Sequence, residues 1–303
     1  MTDECGQSIV YFNMSLENAV LQTLAYSDIF DFPLTIDELH RFLTVPSSRD
    51  EVEKCTAMMK DISFKDGYYY LTNRNRIVEL RKNREAASRK VFKRAVFYGR
   101  ILGALPFVRM VALTGSLALL NLSRNPDMDF MLVTKRGRVW TARAFAIVLG
   151  KISSLLGDTI CPNVIVSECA LEWPMHDLYS ARELGQMIPL AGDDYYHRLL
   201  AANSWVEAYL PNLYPIVSRA FKISKIWRAA EIPLQGTFGD KLEFWEMNRK
   251  IARFTKQAGF GAETVFTADV CQGNFHHHRE WVNDLYQERL SVLGIDFNRH
   301  RPV

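Results

Sequence analysis

The sequence comprises 303 residues, a length that predicts two or three domains rather than one. Hydrophobic residues make up 48% of the chain and charged residues 23%, a balance that is ordinary for a globular protein and excludes a chain that is disordered throughout. The net charge is only +3, so the chain as a whole is not a polycation.

The five cysteines favour a reducing compartment. Their number is odd, they are scattered, and no C-x-x-C occurs, which argues against a disulfide framework or a structural zinc site. The N-terminus lacks a basic segment followed by an apolar one, so no signal peptide is predicted. The longest apolar stretch, residues 139–156, is interrupted by Arg143 and Lys151 and predicts a core-facing helix rather than a membrane span. We therefore expect a cytoplasmic protein without membrane contact.

Residues 1–75 predict a small helical domain that ends in a β-hairpin. Thr35 and Ser48 each precede a glutamate by three residues, which is the spacing of a capping box at a helix N-terminus. Asp66-Gly67 lies between two short apolar runs and predicts a tight hairpin turn. Three helices followed by a two-stranded wing resemble a winged helix-turn-helix domain.

Residues 76–105 predict one long basic linker helix, because a helical period continues with few helix breakers. Residues 74–100 hold ten Lys or Arg against two Glu, a local charge of +8. This helix is a candidate contact surface for a nucleic-acid backbone, although a charged face turned to solvent explains the same pattern. The basic side chains between residues 81 and 94 are Arg81, Lys82, Arg84, Arg89, Lys90, Lys93 and Arg94.

Residues 106–170 alternate strand-like and helical segments in the order β-α-β-α-β, which indicates an α/β layer. Residues 171–303 show mostly helical patterns interrupted by prolines and predict an α-helical C-terminal region.

The best functional signal is Gly115-Ser116 followed twelve residues later by Asp127-Met128-Asp129. Side chains alternate along a strand, so Asp127 and Asp129 are expected to project from one face, where a hard divalent cation would offset their repulsion. Gly115-Ser116 falls where a strand meets a helix, and such a turn allows close backbone approach to phosphate oxygens. Without any function, the two acids would be explained by a solvated strand end and the Gly-Ser pair by an ordinary tight turn.

The motifs Leu113-Thr114-Gly115-Ser116 and Pro126-Asp127-Met128-Asp129-Phe130 resemble those of the DNA polymerase β-like nucleotidyltransferase superfamily. The resemblance covers residues 108–168 and implies a core with a mixed sheet that transfers a nucleoside monophosphate from an NTP to a hydroxyl and releases pyrophosphate. It implies that Gly115 and Ser116 bind the triphosphate and that Asp127 and Asp129 bind Mg²⁺ or Mn²⁺.

The sequence departs from that family at the third strand, where active members place a third carboxylate. The position aligned with that acid is Asn163, which cannot act as a base but is a candidate metal ligand. Glu168, at the far end of the strand, is the candidate third catalytic acid. Arg138 and Arg143 are candidate contacts to the nucleotide, with a solvated helix face as an equal alternative, and Trp140 is more often a core residue than a base-stacking one.

These features lead to two hypotheses. The first is a cytoplasmic Mg²⁺-dependent nucleotidyltransferase whose acceptor is RNA, a protein or a small molecule. The second is a catalytically impaired protein on the same fold that senses nucleotides or binds a nucleic acid or another partner. His276-His277-His278 predicts a loop or helix cap rather than a metal site, because consecutive residues on a helix do not face one another.

Overall fold

The computed structural model describes residues 14–122, 127–215, 220–221 and 225–295. It has an α/β fold with a six-stranded mixed sheet, helices on both faces of that sheet, and a separate two-stranded sheet near the N-terminus. The predicted loop at residues 123–126 lies outside the described residues.

The N-terminal segment folds as three helices and a hairpin, as the sequence predicts. Thr35 and Ser48 each form a capping box in which the side chain accepts from the backbone of a glutamate three residues later and that glutamate accepts in return. The turn residues Asp66 and Gly67 both have positive φ, which fits a tight hairpin. The elements are α1 (Leu16–Asp28), α2 (Ile36–Arg41), α3 (Arg49–Met58), β1 (Ile62–Lys65) and β2 (Tyr68–Leu71).

The long basic helix is also confirmed, as α4 (Arg76–Ala104) with 29 residues. Its second half buries one apolar stripe against the large sheet, and the stripe consists of Val91, Ala95, Tyr98 and Leu102. The helix therefore belongs to the packing of the central core as well as joining it to the N-terminal segment.

The large sheet is mixed and has the strand order β6-β3-β4-β5-β8-β7. Strands β4 and β5 are parallel and joined by a helix, while the other neighbouring strands are antiparallel. The strands are β3 (Val108–Leu113), β4 (Asp127–Thr134), β5 (Thr159–Ser167), β6 (Ile188–Ala191), β7 (Thr264–Phe266) and β8 (Val270–Gly273). The predicted order of strands and helices across residues 106–170 is confirmed, with α5 (Gly115–Ala118) and α6 (Val139–Ser154) between the strands.

The C-terminal region is not only helical, because β6, β7 and β8 join the large sheet. These strands have three or four residues each, too few for the alternation of a strand to show in the sequence, and the first contains Pro189. The sheet thus draws on residues beyond 170. The helices of this region are α7 (Leu178–Gln186), α8 (Asp193–Ala202), α9 (Val206–Tyr209), a 3₁₀ helix (Lys225–Leu234), α10 (Gly236–Phe254) and α11 (His278–Val292).

Alternation along β4 sends its side chains into two separate apolar layers. Phe130 and Leu132 pack with α4 and α6 on one face of the sheet. Met131 and Val133 pack with α7 and α8 on the other face. Asp127 and Asp129 share the parity of Met131, which directs them towards the α7 face. In the part of the chain that the structure describes, no helix is long and apolar enough to cross a membrane.

Candidate functional site

Two carboxylates lie together at the start of β4. Asp127 is exposed and Asp129 is half-buried. Burial, and after it the negative charge of Asp127, raises the pKa of Asp129 to about 6. The two side chains are therefore close enough to repel each other, as the alternation of the strand predicts.

The Gly-Ser bend lies directly against this pair. Gly115 has φ of +65°, and a Cβ atom at this position would lie 2.7 Å from Oδ2 of Asp129. The backbone N–H of Thr114 also donates to the Asp129 carbonyl at 2.9 Å. A side chain larger than hydrogen at residue 115 would displace the carboxylate, so the close approach requires glycine. Ser116 follows in the bend and is exposed.

The residue beside Asp129 on the neighbouring strand is Cys161, which the sequence did not identify. The thiol donates a hydrogen bond to the Asp129 carboxylate, and burial raises the pKa of Cys161 to about 12. The expected ligand Asn163 is instead exposed at an irregularity in the pairing of β4 with β5, beyond Pro162. The sequence pattern predicts this strand over residues 163–167, whereas β5 begins at Thr159, so Cys161 and not Asn163 pairs with Asp129.

Glu168 does not belong to the site. It follows the opposite end of β5, about 17 Å of strand from the level of Asp129. Its carboxylate accepts hydrogen bonds from the Tyr195 hydroxyl at 2.7 Å and the Arg136 backbone N–H at 3.2 Å. These contacts hold the pKa of Glu168 below its usual value. It acts as an anchor for α8 rather than as the predicted catalytic acid.

The predicted nucleotide contacts Arg138 and Arg143 interact with side chains other than those of the two acids. Arg138 comes after the far end of β4 and pairs with Asp240 at 2.7 Å. Arg143 is on α6, on the opposite face of the sheet, where its guanidinium lies 4.9 Å from the centre of the Phe254 ring. Neither arginine lies on a solvated helix face, because Arg138 is buried and Arg143 is half-buried against the Phe254 ring.

Trp140 is a core residue, as expected because tryptophan side chains more often pack in a core than stack on a base. Its side chain is fully buried beside the Phe254 and Phe266 rings, and its indole N–H donates to the Thr267 carbonyl at 2.9 Å.

A third acid lies near Asp129 on a helix instead of a strand. Glu183 lies on α7, which packs against α5 and therefore against the Gly-Ser bend. Burial, and after it the charge of Asp129, raises the pKa of Glu183 to about 7. The Gln186 amide donates to Glu183 at 2.7 Å and fixes its orientation. No local pattern predicts this approach, because 53 residues separate Asp129 and Glu183 in the chain.

The carboxylate oxygens of the acid pair are suited to bind a hard divalent cation. Asp127 and Asp129 supply carboxylate oxygens, which are the ligands that Mg²⁺ prefers, and a cation would offset the repulsion that raises the pKa of Asp129. They are the residues that would hold Mg²⁺ or Mn²⁺.

Another group of potential ligands, with oxygen and nitrogen atoms within 4.8 Å of one another, consists of Glu263, His277 and Glu280. The Glu263 carboxylate already accepts from the backbone N–H groups of Arg279 and Glu280, at 3.1 and 2.9 Å, at the start of α11. His276 and His277 lie in the turn that leads into this helix and His278 is its first residue, as expected for a loop or helix cap. These contacts account for Glu263 as a helix-capping carboxylate.

The basic helix carries less free charge than its sequence indicates. Five of its seven central basic side chains form ion pairs within the protein. The other two, Lys90 and Lys93, are exposed. The candidate nucleic-acid surface is therefore largely neutralised: four of these pairs attach α4 to other segments, and the fifth, between Arg89 and Glu85, lies within the helix. The paired residues are Arg81, Lys82, Arg84, Arg89 and Arg94.

Comparison with known proteins gave no matching family model and no significant match among curated proteins or solved structures. The fold and the geometry of the site are therefore the observations on which a function rests.

Proposed function

We propose that this chain is a metal-dependent nucleotidyltransferase, which moves a nucleoside monophosphate from an NTP to a hydroxyl of an acceptor. The observation that carries the proposal is the contact between Gly115 and Asp129, which joins a strand–bend–helix unit to a pair of carboxylates. A site of this kind needs a bend that approaches phosphates closely and acids that hold a cation beside it.

Each residue of the site has a separate role in the proposed reaction. Gly115 and Ser116 bind the triphosphate, and Asp127 and Asp129 hold a divalent cation that neutralises charge on the phosphates when bound. The acceptor oxygen forms a bond to the α-phosphorus, and the bond from that phosphorus to the bridging oxygen of the β-phosphate breaks, so pyrophosphate leaves. Glu183 takes the proton of the acceptor hydroxyl, because a carboxyl with a pKa of about 7 is poised to accept a proton near neutral pH.

The test is incubation with each NTP and Mg²⁺ or Mn²⁺, with pyrophosphate as the readout. A double substitution, Asp127→Asn with Asp129→Asn, is expected to abolish release. The matched control is Asp193→Asn with Asp194→Asn, an exposed acid pair at the start of α8. Pyrophosphate release that survives in the Asp127/Asp129 variant would exclude this site.

A second candidate function is nucleotide binding without turnover, and Cys161 favours it. The position beside Asp129 on β5, where a strand carboxylate would be expected, holds a half-buried thiol whose raised pKa keeps it protonated and unable to act as a base. Calorimetry distinguishes the candidates. NTP binding that depends on Asp129, without pyrophosphate under any acceptor condition, would assign the site to sensing.

The N-terminal three helices and hairpin are proposed to act as a winged-helix-like domain that positions an acceptor or a partner. The first turn of α3 carries Asp50 and Glu51, which would repel a phosphate backbone. The acidic start of this helix supports a role in protein or substrate positioning, with RNA, a protein and a small molecule as the acceptors to be tested.

A further inference from the structure

Helices α4 and α6 present large apolar side chains to solvent on one side of the molecule. Phe97 on α4 is 59% exposed, and Leu155 and Leu156, in the turn that follows α6, are 85% and 72% exposed. Val148 and Ile152 on α6 are each more than half exposed. We call these five side chains the α4–α6 patch. Scattered exposed apolar residues are normal, but a group on neighbouring elements marks an interaction surface.

A buried aspartate joins the two parts of the patch. Asp158, which follows the Leu155–Leu156 turn after Gly157, accepts a hydrogen bond from the Tyr98 hydroxyl at 2.9 Å and pairs with Arg94 at 2.5 Å. Tyr98 is the neighbour of Phe97 on α4. The turn after α6 is therefore held against the part of α4 that carries Phe97, and the patch is one surface rather than two.

The charged side chains on the two segments that carry this patch are all basic. Lys93 and Arg100 lie one turn before and one turn after Phe97, and Lys151 lies between Val148 and Ile152. All three basic side chains are exposed, and none has an acidic partner within the described ranges. Neither residues 86–105 nor residues 139–157 contain any Asp or Glu. An apolar surface flanked by cations along both of its segments is complementary to a partner that is both apolar and negatively charged.

A second copy of the chain does not meet that requirement. A symmetric dimer through this patch would place the same residues opposite each other and set Lys93, Arg100 and Lys151 against like charges. The two leucines also project from a turn, so they suit insertion into a deformable medium. An anionic bilayer offers negative headgroups beside an apolar interior.

We propose, in place of the expected absence of membrane contact, that the α4–α6 patch binds the surface of an anionic lipid bilayer. Leu155 and Leu156 enter the boundary between headgroups and acyl chains, while Lys93, Arg100 and Lys151 contact the headgroups. Thr159, at the start of β5, pairs with Asp127. Binding by this surface therefore holds the sheet edge that carries the acid pair towards the bilayer. The proposal needs no nucleotide chemistry and stands independently of the proposed function.

The test is co-sedimentation of the full chain with vesicles of phosphatidylcholine, with and without phosphatidylserine. We expect binding to the anionic vesicles alone, and weaker binding as salt is added. The variants Leu155→Ser/Leu156→Ser and Lys93→Glu/Lys151→Glu are each expected to lower the partition coefficient about tenfold or more. The matched control is Met58→Ser/Val292→Ser, since these side chains are 79% and 80% exposed elsewhere.

Three outcomes would overturn the proposal. Vesicle binding that is equal in the patch and control variants assigns any affinity to another surface. A dimer in sedimentation equilibrium that the leucine variant dissociates, without vesicle binding, assigns the patch to a second copy. Binding to polyglutamate that the lysine variant loses, without vesicle binding, assigns it to an acidic protein. Unchanged thermal unfolding midpoints establish that the variants are folded.

Discussion

At the scale of single residues, Gly115 connects backbone conformation to the candidate site. Its positive φ disfavours any L side chain, and its missing Cβ leaves room for the Asp129 carboxylate. Gly137 has nearly the same φ, +66°, but open space around the position of a Cβ atom. A substitution at Gly137 introduces backbone strain alone, whereas the same substitution at Gly115 introduces that strain and also displaces the Asp129 carboxylate.

We predict that Gly115→Ala costs more stability than Gly137→Ala and also removes ligand binding. Strain at positive φ costs about 1 kcal/mol in both variants, and the clash with Asp129 adds on the order of 1–3 kcal/mol in the first. Chemical denaturation measures the difference, and calorimetry with Mg²⁺ and NTP measures the loss of binding. Equal stability and retained binding in the two variants would show that the contact between residue 115 and Asp129 is unimportant.

Glu183 predicts a pH dependence of both stability and activity. Its pKa is raised from 4.5 to about 7, so between these values the folded state holds a proton that the unfolded state has lost. Stability therefore falls as the pH rises through this window, by on the order of 1–3 kcal/mol, and Glu183→Gln is expected to remove the slope above pH 6, where the raised pKa of Asp129 no longer contributes.

Activity is expected to change in the opposite direction, because the proposed base must be deprotonated. The rate of pyrophosphate release should rise with pH through about 7, and Glu183→Gln should lower it about 100-fold or more. Glu183→Asp, which keeps the carboxylate, should restore part of the rate. An unaltered pH–rate profile in Glu183→Gln would show that this residue has only a structural role.

At the scale of elements, α6 depends on a carboxylate from a distant helix. Arg138 precedes α6 without forming a side-chain cap, and Glu243 on α10 instead accepts from the backbone N–H groups of Trp140 and Thr141, at 2.8 and 2.7 Å. These groups have no partner within their own helix, and the anion also lies at the positive end of the helix dipole.

We predict that Glu243→Ala destabilises the protein by about 2–4 kcal/mol, because two buried donors lose a charged acceptor. The matched control is Glu288→Ala, whose exposed side chain on α11 should cost less than about 0.5 kcal/mol. Urea denaturation followed by far-UV circular dichroism measures both. Similar midpoints for the two variants would contradict a capping role for Glu243.

Elements that carry local signals could be predicted from the sequence, while contacts between distant segments could not. The capping boxes at Thr35 and Ser48, the Asp66-Gly67 turn and the alternation around Asp129 depend on residues within a few positions of one another. Strand β6 and the approach of Glu183 depend on tertiary packing, since a four-residue run has no clear period. The same limit explains the error at β5, whose first residues pair with β4 although Pro162 interrupts the apolar run.

At the scale of the whole molecule, the N-terminal segment is fixed to the rest of the chain through Asp28. This buried carboxylate at the end of α1 pairs with Arg74 at 2.7 Å and with Arg289 of α11 at 3.0 Å. The rings of Tyr26 and Tyr286 meet edge to face beside it, 5.5 Å apart. The first and last described helices therefore share one interface, which closes the chain around its sheet.

We predict that Asp28→Asn weakens this interface, because both arginines lose a charged partner while one neutral amide remains. The expected cost is about 1–3 kcal/mol, reduced from that of a fully buried pair since the arginines are partly exposed. The control, Asp37→Asn, breaks an exposed pair with Arg49 and should cost less than about 1 kcal/mol. Hydrogen exchange gives the decisive readout, because loss of the interface should raise exchange in both α1 and α11 while leaving β4 protected. Exchange that rises equally across all elements would mean that Asp28 contributes only to global stability and that these two helices do not act as a unit.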